Sequence, residues 1–125
     1  MQSTRAWTVE DHLADLPDER VALFRQFEAA VRECGPVTLS PSKTTVTFRG
    51  TRRGFAGARP TVTGLRGYLD LMCGVTDDPR LFSNAPYTGR LFVRQFRLRS
   101  ADELDESFVA LIREAFRVGQ GDHLR

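Results

Sequence analysis

The middle of the chain carries a run of basic side chains with a composition suited to binding an anion. From Pro41 to Thr61 the sequence PSKTTVTFRGTRRGFAGARPT places one lysine and four arginines among residues that favour β-strands. Guanidinium and ammonium groups donate charge-assisted hydrogen bonds to phosphate, and aromatic rings stack on bases. We therefore predict a non-enzymatic binding surface for nucleic acid or a small anion, with nucleic acid as the favoured ligand. The residues assigned to this surface are Lys43, Arg49, Arg52, Arg53, Arg59, Arg66 and Tyr68. The arginines between positions 90 and 99 are expected to add to its positive charge.

The distribution of charge along the chain favours this interpretation. The net charge is only +2 over 125 residues, but residues 37–99 hold eleven basic and three acidic side chains. The flanking segments, 1–36 and 100–125, each have a net charge of −3. Arginine in place of lysine is itself uninformative here, because Lys43 is the only lysine and the skew indicates a GC-rich genome. The alternative is that these long side chains only cover and protect a sheet.

Residue types that support catalysis or metal binding are few. The two histidines, His12 and His123, have no cysteine or carboxylate at zinc-site spacing beyond their immediate aspartate neighbours. Cys34 lies on the apolar stripe of a predicted helix, and Cys73 has no histidine near it in sequence to act as a base. The glycines between positions 50 and 67 lack the Lys-Ser/Thr pair of a phosphate-binding loop. We therefore expect no enzyme, no cofactor and no metal.

Helical periodicity predicts two helices at the start of the chain. Thr8 begins the sequence TVED, which is typical of a capped turn, here running to about Leu13. A longer helix follows Pro17, because apolar residues recur there every three or four positions. The pair Gly35-Pro36 ends this second helix, since glycine tolerates a left-handed cap and proline cannot continue the helix.

Alternation of apolar and polar residues predicts an antiparallel sheet of about five strands in the middle of the chain. The predicted strands are Val37–Ser40, Thr44–Arg49, Phe55–Arg59, Leu65–Met72 and Gly89–Arg99. Pro60 is expected to end its strand or to mark a sheet edge. Turn-forming residues predict a long loop over Gly74–Thr88.

A closing helix completes the predicted elements. Ser100 begins the sequence SADE, a capping-box pattern, and an apolar stripe from Leu104 predicts a helix to about Val118. The order of elements predicts a single α+β domain over residues 1–125, with an ordered core at about 8–118. The N- and C-terminal helices should pack mainly on one face of the antiparallel sheet and leave the basic face to solvent.

The sequence also bears on localisation. The N-terminal residues have no apolar run of the kind found in a secretory signal, and no stretch approaches 18 apolar residues. We therefore expect a cytoplasmic protein that does not associate with a membrane. The two cysteines are then expected to be free thiols in a reducing compartment.

Several segments resemble a known family. PSKTTVTFRG, RRGFAGARPT, the helix ending in CGPV and the closing SADELDESFVALIREAF are similar to a small bacterial family, domain of unknown function 5655. The resemblance covers the chain from about Thr8 to Val118. It implies the fold and no catalytic residues, because the family has no known activity. The layout is also similar to YjbR-like and frataxin-like domains, some labelled DNA-binding and some iron-handling, which is an analogy of fold alone.

Two alternatives to anion binding remain open at this point. The first is a protein-interaction or homodimerisation domain that uses an apolar sheet face or edge. The second, favoured by the frataxin-like comparison, is a metal carrier with an acidic ridge on its first helices. The ridge consists of Glu10, Asp11, Asp15, Asp18 and Glu19. Helix capping and solvation also explain these carboxylates, and we favour that explanation.

Overall fold

Two helices form at the start of the chain because both have well-defined ends. In α1 (Val9–Leu13) the backbone N–H of Asp11 donates to the hydroxyl of Thr8, and the Asp11 carboxylate accepts from the backbone N–H of Thr8. α2 (Asp18–Cys34) ends at Gly35, whose φ of 149° lies in a region that favours glycine. Both helices therefore agree with the sequence-based prediction.

The computed structural model describes residues 6–72, 78–82, 85–88 and 91–124, with the backbone alone at 85–88 and at His123. The predicted properties of Cys73 and of much of the 74–88 segment therefore lie outside the described residues. All seven residues that the sequence assigns to the anion-binding surface lie within them.

The described strands form one antiparallel sheet. They are β1 (Thr38–Pro41), β2 (Val46–Arg49), β3 (Gly54–Thr61), β4 (Gly64–Leu71), β5 (Ala85–Thr88) and β6 (Leu91–Leu98). Their order across the sheet is β1-β2-β3-β4-β6-β5, and each neighbouring pair is antiparallel. Most strands that follow one another in the described chain are therefore neighbours in the sheet. β4 and β5 are an exception, because β6 lies between them.

β5 lies in the segment for which the sequence predicts a loop. Its proline, Pro86, is compatible with a strand here because β5 pairs with β6 alone and forms the edge of the sheet. The residues that predict turns therefore surround a short edge strand. They do not form one continuous loop.

Pro60 also lies inside a strand that the sequence ends before it. β3 continues to Thr61, and Pro60 pairs with Leu65 of β4. This is possible because β2 begins at Val46, which lies opposite Ala58, so β3 has no neighbour on that side at Pro60. The expectation that Pro60 marks a sheet edge is correct for this local part of β3.

The last helix begins later than the SADE pattern predicts. Residues 101–103 form a single 3-10 turn, and the Ser100 side chain makes no capping hydrogen bond. The helix itself, α3 (Glu106–Gly119), is capped by Asp105, whose carboxylate accepts from the backbone N–H of Phe108 at 3.0 Å. The capping role therefore belongs to a residue five positions further along.

α2 and α3 pack against β3 and β4 and cover one face of the sheet. Phe27 is fully buried between Phe48 and Phe96, with ring centroids 5.5 and 5.4 Å away, and Phe108 contacts Phe96 from α3. The predicted fold class, an α+β domain with helices on one face of an antiparallel sheet, is confirmed. Within the described residues, none of the helices has the length and apolar content that crossing a membrane requires.

Candidate anion-binding site

The face of the sheet turned away from α2 and α3, here called the open face, carries three adjacent arginines. Because Leu69 and Phe96 are buried in the core beneath the helices, residues of the opposite parity in β4 and β6 belong to the open face. Arg59 of β3 lies directly opposite Arg66 of β4, and Arg66 lies directly opposite Arg97 of β6. We call these three residues the arginine row. Cβ atoms of directly paired residues are about 4.5–5.5 Å apart, so the side chain of Arg66 begins next to those of Arg59 and Arg97.

The arginine row has no compensating carboxylates among the described residues, since no ion pair forms with any of its three members there. The helix side of the molecule differs. Arg25 and Arg32 on α2 both donate to the carboxylate of Glu28, at 2.9 and 3.0 Å. Positive charge is therefore compensated locally on α2 and left uncompensated in the arginine row.

Phe82 lies beside the arginine row, and its ring contacts Arg66 and Arg97. The guanidinium carbons of Arg66 and Arg97 are 5.7 and 5.6 Å from the centroid of the Phe82 ring, within cation–π range. The backbone N–H of Phe82 donates to the carbonyl of Gln95 in β6 at 3.1 Å. The ring is 49% exposed, which is unusual for a large apolar side chain whose position is fixed by the sheet.

The segment that contains Phe82 is anchored by Arg80. The Arg80 guanidinium donates to the carboxylates of Asp78 and Asp105, at 2.6 and 2.8 Å, and to the hydroxyl of Ser107 at 2.9 Å. The hydrogen bond from Arg80 holds the pKa of Asp78 below its ordinary value. Arg80 therefore ties residues 78–82 to the start of α3 and has its charge compensated, unlike the arginine row.

Tyr68 provides an aromatic surface on β4, next to the arginine row. Its ring lies over Gly57 of β3, where a Cβ atom would overlap it, so glycine is required at that position. Burial raises the pKa of the Tyr68 hydroxyl above its ordinary value, although a hydrogen bond with Thr47 opposes this shift. The ring is half-buried and its position is fixed by the strand beneath it.

These residues surround a cleft of about 300 Å³ on the open face. Arg59, Arg66, Tyr68, Phe82 and Gln95 all line it. The cleft thus combines two uncompensated guanidinium groups, two aromatic rings and one amide. Its volume is at the lower end for a small-ligand site and suits one planar ring with a phosphate.

The structure brings together three of the seven residues that the sequence assigns to the surface. Arg59, Arg66 and Tyr68 all line the cleft. Lys43 is exposed in the turn between β1 and β2, next to the cleft-lining Thr44. These four residues form or adjoin one site.

The other three predicted residues lie elsewhere. Arg49 is exposed at the end of β2 and does not line the cleft. Arg52 lies at the end of α3, where its backbone N–H donates to the carbonyl of Gly119 at 2.9 Å. Arg53 donates to the carboxylate of Asp70 at 3.0 Å, which compensates its charge. We therefore leave Arg49, Arg52 and Arg53 out of the cleft.

Two residues of the site, Phe82 and Gln95, are not assigned to it from sequence. Arg97 belongs to the arginine row, as expected for the arginines of 90–99, and the alternation of RLFVRQFRLR places it with Gln95 on one face of the strand. The sequence does not show that β6 pairs with β4, so it does not predict that Arg97 lies beside Arg66. Phe82 lies in a segment rich in turn formers and gave no signal at all.

Asp70 of β4 is a buried carboxylate near this face. It is 3% exposed, and burial raises its pKa to about 6 despite the nearby Arg53 charge. One carboxylate oxygen accepts from Arg53, and the other has no hydrogen-bond partner in the described part of the chain. The charged form of Asp70 is therefore costly to bury.

This cost predicts a pH-dependent stability. The folded protein binds the Asp70 proton more tightly than the unfolded chain, whose aspartate pKa is 3.8. Protonation of Asp70 therefore stabilises the folded state. This stabilisation is full below about pH 4 and is lost as pH rises through 6. The unfolding free energy should fall by up to about 3 kcal/mol across this window. Urea titrations of Asp70→Asn should show a flatter pH dependence, whereas exposed Asp102→Asn should match the parent. Identical slopes for Asp70→Asn and the parent would contradict the assignment.

Two carboxylates of the acidic ridge have structural roles in the described residues. Glu10 forms an ion pair with Arg25 at 3.6 Å, and Asp11 completes the cap of α1. No group of three or more histidine, cysteine or acidic side chains that could hold a metal occurs in the described ranges. Cys34 is half-buried, and burial raises the pKa of its thiol, which makes it a poor nucleophile.

The fold and the site together define a small α+β domain with an uncompensated basic cleft on the open face of its sheet. The family model described as domain of unknown function (DUF5655) matches residues 9–119. The chain therefore belongs to this family, as the sequence resemblance indicates. No curated protein matches the chain, and no solved structure matches it. The similarity to YjbR-like and frataxin-like layouts is not confirmed by these comparisons.

Proposed function

We propose that this domain is a non-enzymatic module that binds single-stranded nucleic acid on the open face of its sheet. The observation that carries the proposal is the arginine row, Arg59, Arg66 and Arg97, which lies in register on three adjacent strands. Like charges directly opposite each other destabilise a sheet. A bound phosphate backbone would remove this repulsion and would release its own counterions.

The choice of a single strand follows from the aromatic residues and from the size of the cleft. Tyr68 and Phe82 offer ring surfaces on which an unpaired base can stack, and both line the cleft with Arg59 and Arg66. A cleft of about 300 Å³ has room for one base and its phosphate but not for a paired duplex. Gln95 adds an amide that can hydrogen-bond to a base edge.

The proposal is tested by fluorescence anisotropy with a labelled single-stranded DNA of mixed sequence at 25 to 200 mM salt. Neutralisation of three phosphates predicts a slope of about −2 for the logarithm of the association constant against that of salt concentration. A duplex of the same sequence should bind more weakly. Arg113→Ala, which removes an exposed arginine on α3, is the matched control and should leave affinity unchanged. Absence of binding at 25 mM salt, or a slope near zero, would overturn the proposal.

The dimerisation alternative receives less support from the described residues. Their exposed large apolar side chains are Trp7, Val62, Phe82 and Leu124, which lie in four different parts of the chain. Phe82, which lies beside the arginine row, is engaged by two arginines. A homodimer interface is usually more apolar than the rest of the surface. The nucleic-acid proposal therefore has the stronger basis.

A further inference from the structure

A second basic cleft adjoins the first. It measures about 430 Å³, and its walls include Arg97, Arg99 and Phe82. Phe82 also lines the first cleft, and Arg97 belongs to the arginine row, so the two clefts share a ring and are linked by adjacent cations. Together they extend the basic surface past the ring of Phe82.

The charges of the second cleft differ from one another in availability. The Arg80 guanidinium is occupied by Asp78 and Asp105 and stabilises the wall. The carboxylate of Glu103 also lies in this cleft, where it accepts from the backbone N–H of Arg99. The guanidinium groups of Arg97 and Arg99 form no ion pair within the described residues. Two cations are therefore available to a ligand, against one carboxylate held by the backbone.

We propose that the two clefts are consecutive nucleotide subsites on a single strand, separated by the ring of Phe82. The first cleft, with Arg59 and Arg66, holds one nucleotide, and the second, with Arg97 and Arg99, holds the next. Phe82 is fixed at the boundary by its backbone hydrogen bond to Gln95 and by the anchoring of Arg80. Arg97 lies near the end of β6 and Arg99 directly follows this strand, so their Cα atoms are about 6.8 Å apart if the backbone stays extended. The basic groups thus follow a path and do not surround one point.

This inference rests on the proposed function and adds a minimum site size of two nucleotides. A mononucleotide would fill one subsite, whereas a dinucleotide would fill both and place a base on each side of Phe82. Each stacked base contributes separately to affinity. Affinity should therefore rise sharply from one nucleotide to two and less sharply beyond two.

The test compares the affinities of thymidine 5′-monophosphate, the 5′-phosphorylated dinucleotide and the tetranucleotide by calorimetry at 25 mM salt. The parent protein should bind the dinucleotide at least about tenfold more tightly than the mononucleotide. Arg59→Ala and Arg99→Ala should each bring this ratio towards one, because each weakens a different subsite. Phe82→Ala should also lower the ratio and Phe82→Trp should restore it, whereas Arg113→Ala should leave it unchanged. Phe82 is exposed, so thermal unfolding should show that its variants remain folded.

The outcomes separate this inference from the proposed function. If the tetranucleotide binds but the parent ratio is near one, or if Arg99→Ala leaves the ratio unchanged, the two-subsite inference is wrong and the binding face stands. If neither the tetranucleotide nor a longer single strand of mixed sequence binds at 25 mM salt, both proposals are wrong. If an acidic peptide binds more tightly than the tetranucleotide, the ligand class is wrong.

Discussion

Replacing Arg66 with glutamate should lower the affinity for single-stranded DNA by at least about 100-fold at low salt. Arg66 is the central member of the arginine row, lies opposite both Arg59 and Arg97, and lines the first cleft. A hydrogen bond to a charged group is worth about 1.5–3 kcal/mol, which corresponds to roughly 10- to 150-fold in affinity. The introduced carboxylate would also repel phosphate. Arg66→Ala should therefore lose less affinity than Arg66→Glu.

The charge reversal should also leave the protein folded, and this result would exclude unfolding as the cause of the lost affinity. A glutamate between Arg59 and Arg97 replaces repulsion by attraction, so the melting temperature should stay the same or rise. Arg113→Glu on α3 makes the same change in net charge away from the open face and should lower affinity only modestly. Equal losses in these two variants would mean that the overall charge, and not the cleft, determines binding.

Replacing Phe27 with alanine should lower the free energy of unfolding by about 3–5 kcal/mol. The Phe27 ring is fully buried and contacts Phe48 and Phe96, so it joins α2 to two strands of the sheet. Domains of this size are stable by only about 5–15 kcal/mol in total, so the loss removes a large share of the stability. Urea unfolding followed by circular dichroism measures this change.

A matched control comes from Val62, which is 76% exposed in the turn between β3 and β4. Val62→Ala should change the free energy of unfolding by less than about 0.5 kcal/mol. A loss below 1 kcal/mol for Phe27→Ala would show that the core can collapse around the missing ring. The packing of α2 against the sheet would then contribute much less than its burial indicates.

Most of the fold could be predicted because its signals are local. The cap at Thr8, the apolar stripe of α2 and the glycine at position 35 lie next to the features that they determine. β5 could not be predicted, since its pairing with β6 depends on a partner strand later in the chain. The start of α3 was misplaced because the SADE pattern and Asp105 both offer a cap, and local sequence does not decide between them.

The site was predictable only in part, for a related physical reason. Strand alternation assigns Arg66 and Tyr68 to one face, but it does not reveal which strands are neighbours. The pairing of β4 with β6 brings Arg97 beside Arg66, and the pairing of Arg53 with Asp70 removes a predicted cation from the site. Both contacts join residues far apart in sequence. A count of basic residues along the chain therefore does not show which of their charges are compensated or which of them lie side by side.

The compensation of charge on α2, and its absence in the arginine row, should give the molecule an electric dipole moment. The two end segments each have a net charge of −3, and the middle segment, which contains the strands, has a net charge of +8. The positive end of this dipole should therefore lie on the sheet side of the molecule. In a diffusional encounter with a polyanion, the dipole would rotate the open face forward before contact. Association would then be faster than random collision allows, and its rate would fall as salt screens the field. The helices would face away from the strand after binding, which leaves that side of the domain available to another partner.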